Sequence, residues 1–79
     1  MRTSYPVSIV PDGDGFFISF RDVPEALSQA ETLEAAKELA PYVLIDALSF
    51  YSEDGRPFPT PSDPVGDELV VPLYYPFHK

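Results

Sequence analysis

Most titratable side chains in this chain are carboxylates. Thirteen Asp and Glu residues stand against five Lys and Arg among 79 residues, the formal net charge is −8, and cysteine is absent. Without thiols no disulfide or thiolate metal site forms, so we expect a cytoplasmic protein. The charge repels nucleic acids and anionic membranes and attracts basic proteins. We therefore expect a basic protein partner, and no direct binding to nucleic acid or membrane.

Asp12 and Asp14 superficially resemble the start of a calcium-binding loop. In that pattern the third ligand falls on Phe16 and the closing glutamate position on Val23, and neither residue can bind a metal. His78 is the only histidine, so it lacks the partners that a zinc site or a catalytic triad requires. We expect no metal, no cofactor and no catalytic residue.

Pairs of carboxylates leave two alternatives. A metal-dependent nuclease would use Asp12, Asp14 or Asp22 with Mg²⁺, but no histidine or lysine accompanies these acids. The second alternative is protein binding by Asp22 and Glu25. Pro24 restricts the backbone between these two acids and fixes where they point, and rigid acids make good partner contacts. A purely architectural turn remains open for the same segment, residues 21–25.

The elements that must position these acids follow from hydrophobic periodicity. Alternation predicts strands over residues 5–10 and 15–20, joined by an Asp-Gly turn, and a short third strand over residues 26–30. Thr32 is a suitable helix N-cap, and Gly55 suits a left-handed C-terminal cap.

Inside this helix, apolar residues recur at spacings of three and four, which predicts one buried face that starts at Leu33. Pro41 predicts a kink or a restarted first turn, because it lacks a backbone N–H. The apolar stripe of the second half is wider than one sheet requires. Tyr42, Ile45 and Phe50 are therefore candidates for a second interface.

A proline-rich connector over residues 56–66 precedes a last strand over residues 67–75, which Pro72 confines to a sheet edge or a bulge. The right-handed crossover rule places this strand parallel to the first. We therefore predict an α+β fold, β-β-β-α-β, with one mixed sheet and one long helix on one face. The bare face and open edges predict a homo-oligomer, a dimer or higher.

The order and spacing of several segments resemble the HicB family of antitoxins from bacterial toxin-antitoxin systems. These segments are YPVSIVPDGDGFFISFRDVPEALSQAET, the helix leading to SFYSEDG, the connector FPTPS and the closing ELVVPL, and together they span Tyr5 to Leu73. The resemblance implies a partial RNase H-like fold that lacks the catalytic acids, and no enzyme activity. It also implies a partner: HicA, a small basic toxin that cleaves mRNA and whose active site the antitoxin blocks.

Members of this family usually continue into a C-terminal DNA-binding domain, whereas this sequence stops at Lys79. We therefore expect a single antitoxin domain over residues 1–79 without DNA binding. Charge complementarity nominates four acids as toxin contacts: Asp22, Glu25, Glu53 and Asp54. The alternatives are an orphan homo-oligomeric domain without a toxin and, less favoured, a minimal RNase H-like nuclease.

Overall fold

One antiparallel sheet and one helix make up the described part of the protein. The computed structural model describes residues 3–73, with the side chains of residues 4–72. The elements are strands β1 (Thr3–Asp12), β2 (Gly15–Phe20) and β3 (Val23–Ala30), helix α1 (Leu33–Glu53) and strand β4 (Leu69–Leu73). The strand order is β3-β2-β1-β4. The predicted α+β class and β-β-β-α-β order are confirmed, and they are consistent with a partial RNase H-like fold.

The first two strands form the predicted hairpin. Their register runs from Val7 opposite Phe20 to Asp12 opposite Gly15. Gly13 in the turn has a φ of 62°, a conformation that favours glycine. At Gly15 a Cβ atom would lie 2.5 Å from the carbonyl oxygen of Ala30. This glycine therefore permits the close approach of β2 to the end of β3.

The predicted direction of the last strand is wrong. β4 pairs with β1 in antiparallel fashion, with Val7 opposite Leu69 and Thr3 opposite Leu73. The connector, residues 54–68, would span roughly 45 Å at about 3.1 Å per extended residue. It is long enough to run from the end of α1 to the middle of β1 before the chain reverses. The right-handed crossover rule applies only when the two strands are parallel, so it does not constrain the antiparallel pairing of β4 with β1.

The third strand is longer than predicted. It begins at Val23 and includes Pro24 and Glu25, which the sequence assigned to a corner. Only Arg21 and Asp22 form the turn before it. Pro24 is tolerated because β3 is an edge strand and part of its backbone needs no ladder partner. Pro72 likewise lies on an edge strand, as predicted, and residues 74–75 of the predicted last strand lie outside the described residues.

Both predicted caps of α1 are confirmed. The Thr32 hydroxyl oxygen accepts a hydrogen bond of 3.0 Å from the Ala35 N–H. Gly55 has a φ of 72°, one residue beyond the C-cap Asp54. The helix continues through Pro41, so no new helix starts there.

The core lies between α1 and the sheet. Ile18 and Phe20 are fully buried and Phe16 packs beside them, as the alternation of β2 predicts. Leu33, expected on the buried face of the helix, is 41% exposed because it lies in the first turn. The buried helix residues are Ala36, Ala40, Leu44, Ala47, Leu48 and Tyr51. The other buried sheet residues are Tyr5, Pro6, Val7, Val23, Ala26 and Val71.

Candidate protein-binding surface

Asp22, one of the four predicted toxin contacts, binds within its own chain. One carboxylate oxygen accepts a hydrogen bond from the Ser62 N–H at 2.6 Å, and the other accepts one from the Ser62 hydroxyl at 2.8 Å. Asp22 is half-buried in the turn between β2 and β3. Its carboxylate therefore fixes the connector to this turn.

Arg21, the neighbouring residue, holds the connector at two further points. Its guanidinium donates to the Glu68 carboxylate at 2.7 and 3.3 Å and to the carbonyl oxygen of Asp63 at 2.9 Å. The hydrogen bond from Arg21 lowers the pKa of Glu68, and the same bond raises the pKa of Arg21. Charge-assisted pairs of this kind are stronger than neutral hydrogen bonds.

Tyr5 anchors the connector from within the core. Its hydroxyl donates to the carbonyl oxygen of Pro59 at 2.8 Å. Burial raises the pKa of Tyr5, and the negative charge of Asp22 raises it further. The connector is thus attached at residues 59, 62, 63 and 68, and its proline-rich chain loses little freedom when it is ordered in this way.

Two other predicted acids, Glu25 and Asp54, meet at the C-terminal end of α1. The Tyr51 hydroxyl donates to Glu25 at 2.7 Å, and Arg56 lies 3.8 Å from Glu25 and 3.3 Å from Asp54. The guanidinium carbon of Arg56 stands 4.1 Å from the centre of the Tyr51 ring, within range of a cation–π contact. The hydrogen bond from Tyr51 lowers the pKa of Glu25 and raises that of Tyr51.

Glu53, the fourth predicted acid, is exposed beside Asp54. No hydrogen bond or ion pair joins its carboxylate to another described residue. Sequence reasoning missed Tyr51 and Arg56 as members of this cluster. The sequence held a signal for Arg56, because it is the only Lys or Arg between Lys37 and Lys79 and it lies one glycine after Glu53 and Asp54.

A groove of about 310 Å³ runs between α1 and β3. Its lining residues are Glu25, Leu27, Ser28, Leu39, Tyr42, Val43, Asp46 and Phe50. Tyr42 is 69% exposed and Phe50 60% exposed, so two of the three second-interface candidates lie here. The third, Ile45, is half-buried against the core and is not part of this lining. We call this surface the α1/β3 groove.

A second groove, of about 430 Å³, lies on the other flank of the helix, against β1 and β4. Its lining is apolar except for Lys37. At the far end of the sheet, Asp12, Asp14 and Glu31 line an open depression of about 700 Å³. Within residues 3–73, no three His, Cys, Asp or Glu side chains are arranged to hold a metal ion, and His78 lies outside that range.

No helix within residues 3–73 combines the length and the apolar character that crossing a membrane requires. The described surface instead offers grooves and charged clusters of a kind that suits contact with another protein. Tyr42 and Phe50 expose large apolar side chains on one side of the helix, and Leu27 exposes another on the neighbouring strand β3. Exposed apolar area of this kind commonly marks an interaction site.

The chain is similar to several curated antitoxins. It is 49% identical over 71 residues to Antitoxin HicB 1 of Photorhabdus laumondii. The aligned region covers 87% of this chain and 45% of that protein. It is 46% identical over 72 residues to Antitoxin HicB of Escherichia coli K12. That alignment covers 87% of this chain and 52% of that protein. The chain therefore spans about half the length of these relatives. A family model described as "HicB_like antitoxin of bacterial toxin-antitoxin system" matches residues 4–75, and the chain belongs to this family.

Proposed function

We propose that this chain is the toxin-binding part of an antitoxin. It neutralises a small, basic, mRNA-cleaving toxin of the HicA type by covering the active site of that toxin, and it has no catalytic role of its own. Membership of the HicB-like antitoxin family carries the proposal. The net charge of −8 supports it, because an acidic surface attracts a basic partner and raises the rate of association. The proposed site of action is the cytoplasm, where mRNA is translated.

The acids divide into two roles in this proposal. Glu25, Glu53 and Asp54 are direct contacts, since they lie around the exposed C-terminal end of α1. Asp22 acts indirectly, because its carboxylate already binds Ser62. A basic partner would have to compete with that intramolecular contact to reach Asp22.

Mixing the chain with a HicA-type toxin, taken from a neighbouring gene where one is found, tests the proposal. We expect a stable complex by size-exclusion chromatography and restored protein synthesis in a cell-free translation reaction that contains the toxin. A chain that forms no complex at micromolar concentration would rule the proposal out.

The contribution of the acids is tested by association kinetics. Replacing Glu53 and Asp54 with Gln and Asn should slow association about tenfold at low salt and flatten its salt dependence. The matched control replaces Asp12 and Asp14 with Asn. These acids lie in the hairpin near the N-terminal end of α1, and the change in net charge is the same. Equal slowing in both variants would assign the effect to net charge alone and remove these two acids from the interface.

Self-association is part of the proposal. Leu69 and Val70, on edge strand β4, are 42% and 47% exposed, and edge strands readily pair with further chains. Light scattering of the isolated chain and of the complex measures the oligomeric state. An orphan domain without a toxin would self-associate and yet show no binding to any toxin encoded beside it.

A further inference from the structure

The α1/β3 groove presents an unusual amount of exposed aromatic surface for so small a domain. Tyr42 and Phe50 lie two helical turns apart on the same side of α1, and each keeps more than half of its side-chain surface in solvent. Leu39 and Val43 are half-buried between them and the sheet. Aromatic side chains that are exposed in this way are enriched at the energetic centres of protein interfaces.

Leu27 extends the apolar surface around the free edge of β3. It pairs with Ser19, which lies between the core residues Ile18 and Phe20. The alternation of the strand therefore places Leu27 on the face away from the helix, at the outer lip of the groove. It is 54% exposed. No described strand pairs with this side of β3, so a partner can approach the groove without displacing part of the fold.

The charges that line this groove are both negative. Glu25 lies at one end, and Asp46 projects from the middle of the helix wall. Asp46 makes no side-chain ion pair with a described residue; its backbone carbonyl accepts the Ser49 hydroxyl. Arg56 approaches Glu25 only to 3.8 Å, and both side chains are almost half exposed. An exposed pair at that distance contributes little and can exchange for a stronger one.

The groove on the other flank of the helix has the opposite charge. Its only charged lining residue is Lys37, and it is otherwise apolar. The two grooves flank the same helix and differ in sign. Charge therefore favours docking of a basic partner on the β3 side over the β4 side.

We propose that the α1/β3 groove is the docking surface for the toxin, which seats an apolar side chain between Tyr42 and Phe50 and places a Lys or Arg on either side of it, one against Asp46 and one against Glu25. This inference rests on the proposed function and names the surface through which it acts. The aromatic residues supply most of the affinity, and the two acids set the orientation.

Alanine substitution of the aromatic pair is the first test. The double variant Tyr42→Ala/Phe50→Ala should raise the Kd for the toxin at least ~30-fold, since central aromatic contacts dominate interface energies. The matched control is Val10→Ala/Val65→Ala, whose residues are 45% and 66% exposed and lie outside both the groove and strand β4. It should bind within about threefold of the unchanged chain. Circular dichroism verifies that both variants are folded.

Charge reversal is the second test. Asp46→Lys should weaken binding at least ~10-fold, because a like charge then faces the basic partner. Asp67→Lys makes the same change in net charge on an exposed residue outside the groove, and it should weaken binding far less. Equal effects of the two variants would overturn the assignment of the groove.

Mapping on the unchanged chain completes the test. On addition of unlabelled toxin, amide resonances of residues 25–28, 39–40 and 42–50 should shift in a nitrogen-15 correlation spectrum, and those of residues 69–71 should not. If the toxin binds but shifts only the β4 side, or if the aromatic double variant binds as tightly as the unchanged chain, the groove is not the docking surface and the proposed function stands. If the unchanged chain does not bind the toxin, both proposals fall.

Discussion

Glu25 and Tyr51 influence each other's protonation, which makes the stability of the helix end depend on pH. The Tyr51 hydrogen bond holds the pKa of Glu25 below its ordinary value of 4.5. A depressed pKa contributes stability above the unfolded pKa, and that stability is lost as pH falls through the folded pKa. Acidification below about pH 4.5 should therefore destabilise the chain partly through this contact.

The variant Tyr51→Phe should raise the pKa of Glu25 towards its ordinary value and reduce the stability lost between pH 7 and pH 3. Carbon-13 shifts of the Glu25 carboxyl group as a function of pH measure the first effect, and urea unfolding at the two pH values measures the second. Tyr42→Phe is the control, since Tyr42 is exposed and makes no described hydrogen bond. An unchanged Glu25 pKa in Tyr51→Phe would show that the hydroxyl contact does not form in solution.

Leu44 is a core residue whose truncation should be costly. It is fully buried between the helix and the sheet, and a Leu→Ala change at such a site destabilises by about 2–5 kcal/mol. A chain of this length has roughly 4–12 kcal/mol of total stability, so the variant should be marginally folded. Leu33→Ala, at a site 41% exposed, should cost less than about 1 kcal/mol. Urea unfolding compares them, and similar losses would contradict the described core.

At the scale of elements, the connector has no regular secondary structure, and side-chain contacts from Tyr5, Arg21 and Asp22 hold it against the sheet. Asp22→Ala removes both hydrogen bonds to Ser62, so the Ser62 amide should exchange with solvent at least ~10-fold faster, because its protection comes from local contact. Hydrogen exchange followed by NMR measures this rate. Asp63→Ala is a close control, since only the backbone carbonyl of Asp63 binds Arg21. Unchanged exchange at Ser62 in Asp22→Ala would mean that other contacts order the connector.

The sequence could predict those elements that are determined by interactions between residues close together in the chain. The β2 strand, the Thr32 cap and the Gly55 terminus follow from neighbouring residues, and all three are confirmed. The direction of β4 and the binding of Asp22 to Ser62 depend on the path of a long connector, and Asp22 and Ser62 are 40 residues apart. Local periodicity carries no information about such contacts.

The candidate site was predictable only in its parts. The sequence nominated Glu25 as a toxin contact and Tyr42 and Phe50 as a separate interface, whereas the structure places all three along one groove. These residues come together only because the helix packs across the edge of the sheet, and such packing is a tertiary property that local sequence does not specify. The same packing half-buries Ile45 against the core, although its helical spacing had suggested exposure.

At the scale of the whole molecule, the excess of negative charge should make stability rise with salt. Thirteen carboxylates face five basic side chains, and in residues 3–73 only Arg21 and Arg56 form ion pairs with them. We expect repulsion among the remaining acids to outweigh these pairs, since the Arg56 contacts are exposed and worth little and Arg21–Glu68 is a single pair. The screening length falls from about 30 Å at 0.01 M salt to about 8 Å at 0.15 M, and the radius of gyration is 12.4 Å. Physiological salt therefore screens charges across the molecule.

The melting temperature should consequently rise by about 2–5 °C between 0.01 and 0.3 M sodium chloride at pH 7, since ~1 kcal/mol corresponds to about 4–8 °C for a domain of this size. Chloride is the appropriate salt, because sulfate stabilises proteins by a separate exclusion effect. Asp67→Lys reduces the magnitude of the net charge, so its melting temperature should respond less to salt. Differential scanning calorimetry measures both. A melting temperature that falls with salt would mean that the ion pairs of Arg21 and Arg56 outweigh the repulsion among the acids. The acidic surface would then reduce the free energy of unfolding only slightly.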